Sequence, residues 1–298
     1  KAEVNSNLFT YNANWFGSDT ASLNVFESGG TIACKANNLR THIDLAMREG
    51  IFHSNGAGSF VELPANQYIC YIDKLKWAMD EELLTLGDEI ASSSKGSEFI
   101  SVHSNQDSLN FMAATANYSL KDYIIHANGV EDIAVADAII YPDSGIVTVE
   151  KKALIQTLYG ARVLADDLTE YHIFTNSSVD IISAHNYTAS GDYTYTDAMN
   201  QKQQIFFKEI RVGKDTVTLA SGDVETDKPF HIDSKFDFKG SLDLIADRKN
   251  LTFDGYFMVN HSCDLLEKEW VKFRSEIDPK NILFTLDEKL YNDEQDLL

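Results

Sequence analysis

Apolar and polar residues alternate in short runs along most of this chain, and each run stops at a turn. Ala116, Tyr118 and Leu120 alternate before the charged pair Lys121-Asp122, and Ile125 and Ala127 resume the alternation beyond it. Leu242 and Leu244 do the same before the turn DRKN, and Leu251 and Phe253 after it. A period of two places successive side chains on opposite faces of a strand, so each run predicts a half-buried β-strand. Six segments share one layout of strand, tight turn and second strand: residues 41–56, 74–87, 115–129, 139–149, 210–222 and 241–255. Their turns (MREG, MDEE, LKDY, PDSG, GKDT, DRKN) are built from Asp, Asn, Gly, Lys and Pro, and five of the six segments then reach a glycine. Such residues favour tight turns, and a glycine after the second strand suits a corner.

Helical patterning is scarce. WAMDEELLTLGDEI (77–90) has helical propensity, but its alignment with the other segments favours a hairpin. LLEKEWVKFRSEI (265–277) places Leu265, Leu266, Trp270, Phe273 and Ile277 near helical spacing, and Pro279 would end a helix there. The expected architecture is all-β: an elongated antiparallel two-sheet β-jelly roll (β-taco) or a β-solenoid-like repeat stack, with a short C-terminal helix or irregular tail. Residues 1–263 form the β-repeat body and 264–298 the tail, read as a mature form or as part of a larger protein. A body of this kind has open sheet edges that must be capped or used to join neighbours.

Composition narrows the partners. Lys and Arg total 25 against 46 Asp and Glu, a net charge of −21 over 298 residues. Nucleic acid is bound mainly through cations that displace its counterions, so it is excluded as a partner, and an anionic membrane surface is disfavoured. No apolar run approaches the roughly 18–20 residues that span a bilayer as a helix. Cys34, Cys70 and Cys263 are odd in number and far apart, which implies no disulfide framework; Cys34 and Cys70 lie in strand-like text and suit small buried apolar residues.

The stretch ATANYSLKDYIIHANGVEDIAVADAIIYPDSGIVTV resembles the OstA-like repeats of the lipopolysaccharide-transport bridge family, the periplasmic LptA-type proteins. Ala116, Tyr118, Lys121, Asp122, Ile125, Ala127, Gly129 and Val130 carry the likeness, and the family's Gly-Asn-Val stands here as Asn128-Gly129-Val130. The repeat style extends over residues 40–255, and long bacterial envelope proteins carry it too. The resemblance implies a β-taco whose apolar interior holds lipid acyl chains and whose ends stack on partners by strand addition. It implies no catalytic residues and no cofactor, and a location in the periplasm or cell envelope. The residues expected to line the lipid-facing interior are Tyr118, Leu120, Ile125, Leu242, Leu244, Leu251 and Phe253. The chain departs from the family in its acidity and its length.

Other candidates compete with bland readings. The carboxylates Asp166-Asp167, Glu131-Asp132, Asp192 and Asp197 would suit glycoside hydrolysis if two converged, but they read more simply as solvated surface. His53 and His126 fill the same slot of the repeat, which favours a structural role such as capping a turn. His261, Cys263 and Asp264 have the chemistry of a metal site without a second pair of ligands. SGDYTYTD and SGDVETDK cluster oxygens as weak Ca²⁺ sites do, although solvated turns explain them. Tyr68, Tyr71 and Trp77, or Tyr187, Tyr193 and Tyr195, would make a sugar-stacking strip if exposed; cross-strand packing is the simpler expectation. The leading function is a non-enzymatic envelope module for lipid transport or scaffolding. A carbohydrate-binding or polysaccharide-acting β-solenoid and an adhesin or assembly segment are the alternatives.

Overall fold

The computed structural model describes the chain apart from residues 28, 57, 88–95, 225–229, 264–266, 287–288 and 298. Among the described residues there is no α-helix, only one short 3-10 turn at Lys151–Ala153. The strands form two antiparallel sheets of fourteen and eleven members, so the all-β expectation holds. The chain divides into two compact units. One comprises Lys1–Val135, Ile140–Leu158 and Asp180–His185, the other Ala136–Ile139, Tyr159–Val179 and Asn186–Leu298.

The first sheet opens with β1 (Ala2–Asn5), β2 (Thr10–Tyr11), β3 (Trp15–Phe26), β4 (Ile32–Asp44) and β5 (Glu49–Ser54). It continues through β6 (Phe60–Leu63), β7 (Tyr68–Tyr71), β8 (Lys74–Ala78) and β9 (Leu83–Gly87). β10 (Ser97–Ser101), β11 (Asn110–Ala113), β12 (Thr115–Ser119) and β13 (Ile125–Asn128) follow. β14 (Ile133–Val135) and β15 (Ala138–Tyr141) belong to the second sheet, and β16 (Ile146–Val149) returns to the first.

β4 forks the first sheet. One edge pairs with β3 along most of its length. On the other edge Lys35–Asn37 pair with β6, whereas Leu39–Asp44 pair with β5. Between the two stretches Asn38 takes φ 55, a conformation in which Asn is among the better tolerated residues. One arm then runs β6-β7-β10-β11, the other β5-β8-β9-β12-β13-β16. Loop side chains of one arm bond to the backbone of the other. Asn66 donates from Nδ2 to the carbonyls of Tyr123 (2.7 Å) and Val149 (3.1 Å), and Gln106 donates to Ala153 (2.6 Å). The buried Tyr118 hydroxyl of β12 donates to the Ala33 carbonyl of β4 at 3.2 Å. The arms thus enclose one core, in which Phe52, Val61, Tyr68, Leu75, Leu86 and Phe99 are fully buried.

The second sheet is a meander: β17 (Leu158–Ala165), β18 (His172–Ser183), β19 (Asn186–Thr196), β20 (Lys202–Val212), β21 (Thr218–Asp223), β22 (Phe230–Asp233), β23 (Phe236–Ile245), β24 (Leu251–Val259) and β25 (Trp270–Ile277). It curls strongly. Tyr195 on β19 meets Phe253 on β24 with ring centroids 5.9 Å apart. In the strand order β19 and β24 are four positions apart, about 19 Å in a flat sheet at the usual strand spacing. Across the curled face Tyr195 also reaches Phe230 (5.3 Å), and its hydroxyl donates to the Ile232 carbonyl (2.9 Å). Glycines permit the bend. Gly240 and Gly255 lie directly opposite each other, and a Cβ on Gly255 would stand 2.3 Å from the Lys239 carbonyl oxygen. Phe207 is flanked in register by Gly191 and Gly222, and Phe273 lies opposite Gly255, so aromatic rings cover the bare backbone.

Two expectations need correction. Segment 139–149 is not a hairpin, because β15 and β16 lie in different sheets and β16 pairs with β13. The other five segments are hairpins, including 74–87, whose β8 and β9 pair from Leu75↔Leu86 to Ala78↔Leu83. The C-terminal helix is also overturned. Trp270–Ile277 is strand β25, with Phe273, Ser275 and Ile277 buried in alternation. Phe273 and Ile277 are four residues apart, a spacing that fits a helix and a strand equally; Leu265 and Leu266 lie outside the described residues.

Candidate functional site

The seven residues expected to line a lipid-facing interior fall into two separate cores. Tyr118 and Ile125 are fully buried in the first unit, and Leu242, Leu244, Leu251 and Phe253 are buried on the inner face of the second sheet. Leu120 sits half-buried in the β12–β13 turn, where its backbone N–H bonds to the Glu82 carbonyl. Cavities of 620, 380 and 440 Å³ lie around β1–β5, and none of the seven residues lines them.

Each sequence-predicted carboxylate serves its own loop where it is buried. Asp166 accepts from the Leu168 N–H (3.0 Å) and the Thr169 hydroxyl (3.1 Å). Asp197 accepts from the N–H groups of Met199 and Gln201, both at 2.8 Å. Asp192 accepts from the Asn176 amide, and Glu131 and Asp132 are exposed. His126 caps no turn: it stands mid-strand and shares a 3.1 Å hydrogen bond with Thr148 of the neighbouring strand. His261 accepts from the Cys263 N–H, and Asp264 lies outside the described residues. Neither aromatic trio is an exposed strip. Tyr68 is buried and Tyr71 exposed on opposite faces of β7, and Trp77 is half-buried. Tyr187 and Tyr195 are buried and Tyr193 half-buried within the second unit, where burial pushes the Tyr193 hydroxyl up to about 12. Cys34 and Cys70 are buried free thiols, Cys263 an exposed one; burial drives the Cys34 thiol up to about 12, which leaves it unreactive.

Sequence reasoning missed two polar clusters and one groove. Asp137, ahead of β15, accepts from both the N–H (2.7 Å) and the hydroxyl of Thr218, and that hydroxyl also bonds to Tyr187 at 2.8 Å. Burial raises the Asp137 carboxyl, opposed by these hydrogen bonds and reinforced by the nearby charge of Asp166. His172 is fully buried, with Nε2 donating to the Arg248 carbonyl (2.6 Å) and Nδ1 3.1 Å from the Tyr193 hydroxyl. Burial lowers its pKa. Both clusters tie distant parts of the second sheet together, and only the assembled fold brings their members within reach.

The groove lies on the outer face of β2–β5 and encloses 620 Å³. Asn12 places Trp15 at the groove, its side chain accepting from the N–H groups of Asn14 and Trp15 to turn the chain into β3. The Trp15 ring lies over Gly17, whose missing side chain leaves the floor open, and meets His42 at 5.2 Å with a 35° tilt. Arg40 and His53 line the groove from directly opposed positions on β4 and β5.

The chain also covers some of its own edges. Residues 150–156 fold back on β16 through the Val149↔Ile155 bridge and the Gln156–Thr148 hydrogen bond. The Lys272 N–H of β25 bonds to the Tyr291 carbonyl. Beside it Phe284, from a stretch outside the named strands, stacks on Phe257 with centroids 4.1 Å apart and meets Phe236 and Phe273 at 4.9 and 5.0 Å. Comparison with family models, curated proteins and solved structures finds no match.

Proposed function

We propose that the chain is a non-enzymatic β-module of the bacterial envelope whose curled second sheet acts as a β-taco-like trough for apolar chains, with lipid acyl chains as the cargo. The supporting observation is Phe284. It enters the aromatic end of the trough from a segment outside the named strands, where the neighbouring Thr285 N–H donates to the Ser275 hydroxyl (2.6 Å). A face that takes in a ring edge-on and stacked from outside the sheet offers the same apolar contacts to an acyl chain, at about 25 cal/mol per Å² of surface buried. Phe284 is then a resident plug that lipid must displace.

The test places a photo-crosslinking residue at Phe236, within the trough mouth, in protein purified from a bacterial host. Mass spectrometry should recover crosslinked lipid, and Phe284→Ala should increase the yield. Absence of lipid from both proteins overturns the carrier reading and leaves a scaffold with a filled core.

A further inference from the structure

The groove on the first unit carries a different chemistry, independent of the trough. We infer that it is a binding site for an acidic saccharide, with Trp15 as the ring platform and Arg40 as the partner of the sugar's carboxylate. Trp15 is half-buried and braced on one side by His42, so little of its freedom remains to be lost when a ring settles on it. Arg40 is exposed and makes no ion pair among the described residues. A guanidinium presents two parallel donors to a carboxylate, the geometry that gives Arg its preference for such groups.

This face is richer in basic groups than the chain as a whole. The whole chain has nearly two acidic residues for each basic one, 46 against 25. Yet the outer face of β4, β5 and β8 brings Arg40, His42, His53, Lys74 and Lys76 into adjacent register. Glu49 on that face is engaged by Lys76 at 2.8 Å, Asp44 stands opposite Trp15 and accepts from the N–H groups of Ala46 and Met47, and Asp19 is the carboxylate that lines the groove. Basic and acidic groups are balanced on this face, against the excess of acid over the chain as a whole, so an anion meets less repulsion at this groove than elsewhere. The remaining walls favour a sugar over a bare anion. The indole offers a flat apolar surface for the C–H face of a pyranose, and the Thr10 and Thr20 side chains offer hydroxyls to its rim. The acidity of the chain as a whole disfavours a long polyanion such as nucleic acid.

Titration calorimetry and tryptophan fluorescence on the intact chain test this with trigalacturonate, the neutral cellotriose and inorganic phosphate. Trigalacturonate should bind and quench fluorescence. Arg40→Gln should weaken it roughly tenfold or more, since each factor of ten is about 1.4 kcal/mol. Trp15→Phe should retain part of the affinity and lose the quench, while Lys208→Gln in the second unit should bind as the parent does. Arg40 is exposed, so an unchanged thermal midpoint in Arg40→Gln assigns its loss to the site. Absence of trigalacturonate binding overturns the site. Equal binding of cellotriose overturns the role of Arg40, and displacement by phosphate at equal concentration reduces the site to one for simple anions.

Discussion

The two units bury their strands by different means. In the first, one strand forks and its two arms fold over a mixed aliphatic and aromatic core, locked by amide side chains from the loops. In the second, one meander curls until its own inner face meets itself, and the space is filled by Tyr195, Phe230, Phe238, Phe253, Phe257 and Phe273 in edge-on contacts. Both are made from the same hairpin unit. What differs is how many rings each hairpin contributes and which strands carry an interior glycine. Gly17 and Gly50 lie inside β3 and β5 of the first unit, joined there by glycines at strand ends. In the first unit Gly87 ends β9 with φ +92, and Gly129 lies just past β13. In the second, Gly222 and Gly255 lie inside β21 and β24 and thin the sheet so that it bends.

The largest effect should come from removing a ring that holds the curl. Phe253 is fully buried and meets Tyr195, Phe238 and Phe230 at 5.9, 5.0 and 6.3 Å. Phe253→Ala should cost about 3–5 kcal/mol in urea unfolding, the range for a buried aromatic lost to a cavity. A loss below about 1 kcal/mol would show that this face is not the core of the second unit.

The two kinds of glycine separate cleanly under one substitution. At Gly56, φ is +90 and a Cβ there would meet nothing within 4 Å, so only the backbone conformation matters. Asn visits that region more readily than other side-chain-bearing residues, and Gly56→Asn should cost under about 1 kcal/mol. At Gly255 any Cβ collides with the Lys239 carbonyl and with Gly240 across the pair. Gly255→Asn should therefore cost about 1–3 kcal/mol or more, as overpacking does. Equal costs at the two sites would refute the distinction between corner and bend glycines.

Much of this division was hidden in the sequence for a physical reason. Alternation revealed the strands because burial of one face imposes it locally, and Leu242, Leu244, Leu251 and Phe253 are buried as that pattern requires. Alternation says nothing of which strand pairs with which. Segment 139–149 has the hairpin layout, yet its halves belong to different sheets, since a short turn permits a hairpin without enforcing one. The fork at β4 left only Asn38 as a trace. The groove was less legible still: His53 attracted notice by its repeat position, but Trp15, Arg40 and His42 come together only through the β3–β4–β5 register. The buried pair of contacts at Asp137 spans 81 residues, beyond any local pattern.

The amide locks of the first unit rank next. Asn66 is fully buried and donates to two backbone carbonyls of the opposite arm. Asn66→Ala leaves both acceptors without their donor and should cost about 1–3 kcal/mol, the penalty for buried groups left unpaired. Hydrogen exchange should speed at β12, β13 and β16 and stay unchanged at β23 and β24. Faster exchange throughout both units would mean that the lock serves the whole chain.

The smallest effect is one of pH, and it belongs to the second unit, since among the described residues the first has no fully buried histidine. Burial holds the His172 pKa below its ordinary value, against the opposing pull of its bond to the Arg248 carbonyl. The unfolded chain then binds a proton more readily than the folded one between the folded value and the ordinary value of about 6.5. Stability from this group is complete above about 6.5 and declines as pH falls through that window, because protonation favours the unfolded chain. Urea midpoints taken stepwise from pH 7.5 to 5.5 should drift downward, and His172→Gln should flatten the drift while lowering stability at pH 7.5. A slope unchanged in His172→Gln would place the titrating group elsewhere. The drift should also be carried by probes of β18 and β19, where His172 and Tyr193 sit, and not by Tyr118, whose hydroxyl is held far above this range by burial.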